Sequence, residues 1–117
     1  MTERKLAAFL PDLGGKRVMI VEDEYLLAAD LARFLDQAGA LVIGPFPTVH
    51  EALDHLSLDP TPDFAMLDVN LRGDMVFAVA DFLIAAGIPF LFITGYDTGV
   101  LPPAYAAMPR LEKPIDL

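Results

Sequence analysis

The run Arg17-Val18-Met19-Ile20-Val21, followed at once by Glu22-Asp23, sets the architecture. An unbroken apolar segment bounded by charge is the pattern of a strand buried on both faces, as in parallel sheets covered by helices. Asp63-Phe64-Ala65-Met66-Leu67-Asp68 repeats it and again ends on a carboxylate. Residues 40–46 and 89–94 predict two more strands, and residues 108–111 a short last one.

Between these strands the apolar period changes. Over residues 24–38, Leu27, Leu31, Phe34, Leu35 and Ala38 recur at helical spacing, and Gly39 stands where a left-handed cap would fall. Thr48 and Glu51 form a capping box for a second helix with Val49, Ala52, Leu53 and Leu56 inward. Arg72-Gly73 reads as a turn and Asp74 as the N-cap of a helix running to Ala86, ahead of Gly87. Gly95, Gly99, Pro102 and Pro103 predict a loop with one late turn across residues 95–107. Strands alternating with helices imply right-handed crossovers and a doubly wound, five-stranded parallel α/β sheet. Its fourth helix should be short or irregular. Only four residues follow Lys113, so a C-terminal fifth helix is expected to be absent from the chain.

The 117 residues fit one domain, divided here into a lead segment, 1–15, and a folded unit, 16–117, with no room expected for an output domain. Eight basic residues against seventeen acidic ones give a net charge of -9, which argues against nucleic acid, since phosphate backbones need clustered Lys and Arg. With no cysteine there is neither a disulfide framework nor a thiolate metal site, and the cytoplasm is the default compartment. The apolar stretch 76–93 is interrupted by Asp81, Gly87 and Pro89, so no membrane span is expected, and residues 6–10 are too short a segment for an export signal.

In a doubly wound sheet, ligands sit beyond the C-terminal ends of the strands, where this chain places Glu22-Asp23, Asp68, Thr94 and Lys113. Each residue also has a purely structural use. Glu22 and Asp23 favour the positive end of a helix, Asp68 can form an Asx turn, Thr94 can cap, and Lys113 can be a solvated strand end. Together they resist that account, because three carboxylates in one crevice repel unless a divalent cation and the lysine offset them. Mg²⁺, which prefers oxygen ligands and accepts a few carboxylates, suits the cluster. His50 and His55 fall on the second helix and read as surface residues.

Glu22-Asp23, Asp68, Thr94-Gly95 and Lys113-Pro114, in this order and at these strand ends, resemble bacterial two-component response-regulator receiver domains. The resemblance covers roughly residues 16–117 and implies a flavodoxin- and receiver-like sheet. It implies that Asp68 is the phosphoacceptor and belongs to the metal site, that Asp23 binds Mg²⁺ directly, that Glu22 binds it through water, and that the Asn70 carbonyl is a further ligand. Lys113 would bind phosphoryl oxygens, Thr94 would donate its hydroxyl to the product, and the Lys113-Pro114 bond would be cis. The implied donor is a histidine kinase or histidine phosphotransfer protein; no organic cofactor is implied, and a homodimer stays open. Phe92-Ile93-Thr94-Gly95-Tyr96 is similar to the Phe-Ala-Thr-Gly-Xaa-Tyr signature of one receiver subclass, with Ile93 in place of Ala and Tyr96 directly after Gly95. Arg110 stands where many receivers carry an aromatic switch residue.

Two other readings compete. A small phosphatase or phosphotransferase with an Asp68 nucleophile would usually carry a second carboxylate two residues on, where this chain has Asn70. A degenerate receiver acting only as a binding module should have lost Asp68, Lys113 or the acidic pair, and all are present. The expectation is therefore a phosphoacceptor with self-phosphorylation and self-dephosphorylation chemistry, not an enzyme turning over a substrate.

Overall fold

Side chains alternate across a strand, so each apolar run feeds two cores at once. The computed structural model describes residues 2–5, 12–59, 62–95 and 101–117. In chain order the elements are β1 (Thr2–Lys5), β2 (Arg17–Val21), α1 (Tyr25–Gln37), β3 (Leu41–Phe46), α2 (Val49–Leu58) and β4 (Phe64–Asp68). Then come β5 (Asn70–Leu71), β6 (Asp74–Met75), α3 (Phe77–Ala86), β7 (Phe90–Thr94), a 3-10 turn at Pro103–Tyr105, and β8 (Arg110–Asp116). The main sheet has the order β1-β8-β7-β4-β2-β3, with every pairing parallel.

Five of these strands are the ones expected, in a doubly wound arrangement. The sixth, β1, comes from the lead segment and lies along β8, pairing Thr2 with Arg110 and Glu3 with Leu111. On one face Met19, Val21, Ala65, Leu67, Phe90 and Phe92 pack with residues of α2 and α3, including Ala52, Leu56, Val79 and Leu83. On the other, Val18, Ile20, Met66, Leu91, Ile93 and Leu111 pack against Leu31 and Leu35 of α1. Burying one such side chain completely contributes roughly 1.5–3 kcal/mol, and β2 and β4 supply them on both faces. Met19 and Met66 are fully buried, whereas Met75 is partly exposed. Among the described residues no helix is long and apolar enough to cross a membrane.

Several details differ from the sequence reading. Asp74 does not cap α3: it belongs to β6, which pairs with β5 around Arg72-Gly73, and the residue before the helix is Val76, with no side-chain cap. Arg72 and Gly73 both have positive φ, 55° and 90°, as a tight hairpin turn demands, and Asn70 Oδ1 accepts from Gly73 N at 2.6 Å. The last strand begins at Arg110 and runs through Lys113 to Asp116, instead of ending at Leu111. It is held by β7 on one side and β1 on the other, and its register with β1 shifts between Glu3 and Lys5, opposite the stretch that contains Pro114. Thr48 does cap α2, its Oγ1 accepting from Glu51 N at 3.1 Å, but its hydroxyl then donates to the Glu51 carboxylate, closing the box between side chains. His50 is exposed beside Asp54, whereas His55 is half-buried against the Phe46 ring, because it flanks the inward stripe of Ala52 and Leu56.

The stretch between β7 and β8 contains a 3-10 turn and, among its described residues, no longer helix. It is anchored at its far end: the Tyr105 ring stacks on Phe77 with centroids 4.6 Å apart, meets Phe92 edge-on at 6.0 Å, and its hydroxyl donates to Asp81 Oδ1 at 2.5 Å. Tyr96, part of the subclass signature, lies outside the described residues.

Candidate functional site

β2, β4 and β7 end on the same side of the sheet and deliver Glu22, Asp68 and Thr94 there, while Lys113 comes from within β8, one residue past the partner of Thr94. Glu22 N donates to Phe46 O at 3.0 Å, which keeps the residue in line with β3 as the strand gives way to α1. Its side chain is fully buried. Oε2 accepts from Glu24 N at 3.0 Å, and Oε1 has no donor among the described residues.

Asp68, 3% exposed, closes β4. Its Oδ1 accepts from Asn70 N at 3.2 Å, so the Asx turn that could have explained this residue structurally is present. Its Oδ2 lies 3.2 Å from Lys113 Nζ, which a turn alone does not require. Thr94 is buried at the end of β7 and its hydroxyl donates to Leu111 O at 3.4 Å, a long bond. Lys113 Nζ also lies 3.8 Å from Glu22 Oε2 and contacts Glu24 Oε2 closely. The Lys113-Pro114 bond is cis, as is Gly44-Pro45.

The charges are strongly perturbed. Burial first, and then the adjacent Asp68 carboxylate, push the Glu22 carboxyl up to about 9, against the Glu24 backbone N–H and Lys113. Burial likewise raises Asp68, although Glu22, Lys113 and the Asn70 N–H pull it back. Burial works against the Lys113 charge, but Glu24, Glu22 and Asp68 outweigh it and hold the ammonium above its usual range. The group opens into a crevice of about 730 Å³ whose walls include Leu26 and Leu27 of α1, Arg72, and Pro114 and Ile115 of β8.

No family model matches the chain. The structure of SdrG from Sphingomonas melonis superposes with a TM-score of 0.78 at 38% identity, covering 87% of this chain and 86% of that one. The response-regulator receiver domain of PhyR from Erythrobacter litoralis gives a TM-score of 0.75 at 26% identity, covering 88% and 81%. The chain belongs to the response-regulator receiver family. Among curated sequences, the phyllosphere-induced regulator PhyR of Methylorubrum extorquens is 34% identical over 95 residues, 80% of this receiver but 34% of that protein. The receiver thus spans about a third of that relative's length.

In this receiver Lys113 brings Glu22 and Asp68 together, at 3.8 and 3.2 Å, while the contact given for the Thr94 side chain is Leu111 O. Asp23 sits differently: its carboxylate, largely buried, lies 3.4 Å from Arg72 Nε on the β5–β6 hairpin. The third member of the tight carboxylate group is Glu24, whose oxygens, with those of Glu22 and Asp68, lie within 4.8 Å of one another. Glu24 and Arg72 were missed because one reads as the start of a helix and the other as a turn; the unbroken acidic run Glu22-Asp23-Glu24 was the available signal. Asn70 Oδ1 is engaged in the hairpin turn, where it accepts from Gly73 N. The donor set suits a hard divalent cation, since Glu22 Oε1, buried without a donor, can be satisfied by a proton shared with Asp68 or by a cation.

Proposed function

We propose that this receiver is a phosphoacceptor, taking a phosphoryl group onto Asp68 from a histidine kinase or histidine phosphotransfer protein in the cytoplasm. The observation that carries the reading is the setting of Asp68. A nearly buried carboxylate opens onto a crevice, with a lysine ammonium 3.2 Å from one oxygen and a buried glutamate beside it. In the transfer, an Asp68 oxygen forms a bond to phosphorus as the bond from phosphorus to the donor imidazole nitrogen breaks, and the imidazole leaves with that electron pair. Asp68 is a weak nucleophile, so the surroundings must favour the transferring charge. Lys113 does so directly, because it already faces Asp68 Oδ2. Among the described residues the Thr94 hydroxyl bonds to Leu111 O alone, at a long 3.4 Å, so it can turn to a phosphoryl oxygen.

Glu22, Asp23, Asp68 and the Asn70 carbonyl are the groups that would hold Mg²⁺, which, when bound, supplies positive charge to the phosphoryl oxygens. The chain is then a signalling phosphoacceptor with self-phosphorylation and self-dephosphorylation chemistry, and the segment 95–107 is its signalling surface. The subclass with the Phe-Ala-Thr-Gly-Xaa-Tyr signature fits Phe92, Thr94 and Gly95. Incubation with acetyl phosphate and Mg²⁺, read by intact mass, tests the assignment. The parent should gain one phosphoryl group and Asp68→Asn none; a phosphorylated Asp68→Asn chain would refute it.

A further inference from the structure

Lys113 serves three carboxylates, and one of them, Glu24, lies outside the strand ends. Lys113 Nζ contacts Glu24 Oε2 directly, as well as lying 3.2 Å from Asp68 Oδ2 and 3.8 Å from Glu22 Oε2. Glu24 immediately precedes α1, and its N–H donates to the buried Glu22 Oε2 at 3.0 Å. That hydrogen bond fixes its backbone to the site while the side chain reaches across to the lysine.

A phosphoryl group on Asp68 would replace the single carboxylate charge with close to two and would need the donors of Lys113. Glu24 opposes that change in two ways. It occupies the ammonium, and its oxygens are among those within 4.8 Å of the Glu22 and Asp68 oxygens, so it repels an incoming anion. Toward a divalent cation the same charge acts in the opposite sense. The two effects separate Glu24 from a residue that merely holds the fold.

We propose that Glu24 is a positioning residue that restrains Lys113 and thereby lowers the affinity of the site for a phosphoryl group. The inference rests on the phosphoacceptor reading of Asp68. Incoming phosphoryl must displace Glu24 from the ammonium before Lys113 is fully committed to it, so Glu24 sets how readily the phosphorylated state forms. Glu24 is 57% exposed on its side chain, so solvent screens part of its charge, and the expected effect is about three- to tenfold.

The test measures beryllofluoride binding by fluorine NMR in saturating Mg²⁺, and separately Mg²⁺ binding without beryllofluoride, on the full chain. Glu24→Gln should bind beryllofluoride about three- to tenfold tighter and be phosphorylated faster by acetyl phosphate, while its Mg²⁺ affinity stays level or falls. Glu24→Asp, which keeps the carboxylate, should lie between Gln and the parent. Glu24→Ala removes the remaining amide contact to Lys113 and should behave like Gln. Beryllofluoride affinity within twofold of the parent, or weaker, in both neutral variants would overturn the restraint while leaving the role of Asp68 intact. A parent that neither binds beryllofluoride nor gains a phosphoryl group would instead defeat the phosphoacceptor reading, and this inference with it.

Discussion

Two neighbouring parts of the molecule fill space by opposite means. At the strand ends, Glu22, Asp68 and Lys113 crowd charge into a nearly buried corner, where each carboxyl is pushed toward its protonated form. Farther back on β7, Phe92 meets Phe77, Phe90 and Tyr105 through ring edges, at centroid distances of 6.1, 5.3 and 6.0 Å. The aromatic group asks nothing of a ligand. The charged group is held together by the backbone of three strands against its own repulsion, so its arrangement is a property of the scaffold. Thr94 and Phe92 lie two residues apart on β7, on the same side of the sheet by alternation, so one strand carries both a polar site residue and an aromatic anchor of the 95–107 segment.

The sharpest way to break this contrast is to damage each region in turn. Phe92→Ala should cost about 3–5 kcal/mol in urea unfolding, because a fully buried ring is lost from a packed cluster. Asp68→Asn, which removes a like charge beside Glu22, should melt no lower than the parent. Equal destabilisation by the two substitutions would mean that the charged corner supports the fold as much as the rings do. Next in size is the response to metal: Mg²⁺ at a hundredfold excess over its dissociation constant should add about 2.7 kcal/mol of stability. Asp23→Ala should blunt that gain, and an undiminished shift in its melting curve would remove Asp23 from the ligand set. The smallest effect is expected of Tyr105→Phe, which keeps the stack on Phe77 but loses the hydrogen bond to Asp81, at about 0.5–1.5 kcal/mol. Hydrogen exchange on that variant, with and without beryllofluoride, should show faster exchange around residues 101–107 and little change in β2 or β4.

The strand ends were legible because a buried parallel strand announces itself as an apolar run and leaves its functional residue just past the last apolar position. Val21-Glu22 and Leu67-Asp68 both follow that rule. The same reading missed Glu24, since its role depends on how far a side chain reaches toward Lys113, eighty-nine residues later in the chain. Asp74 misled for a related reason: Ser, Asp or Asn before an apolar run signals a cap, but here two consecutive positive-φ residues drew it into a hairpin first. The pairing of Thr2–Lys5 with β8 carries no sequence signature, because four polar residues do not alternate as a half-buried strand would.

That pairing has a practical consequence. A strand at the margin of a sheet exposes a row of N–H and C=O groups that invite another chain to add to it. With β1 in place, the outer side of β8 is already occupied, and the opposite margin is β3, whose Pro45 interrupts the row of donors. Trimming residues 1–5, or displacing them with a fused tag, would uncover the β8 margin and invite self-association. An expression vector for this receiver should therefore leave its first strand intact and carry any tag at the other end.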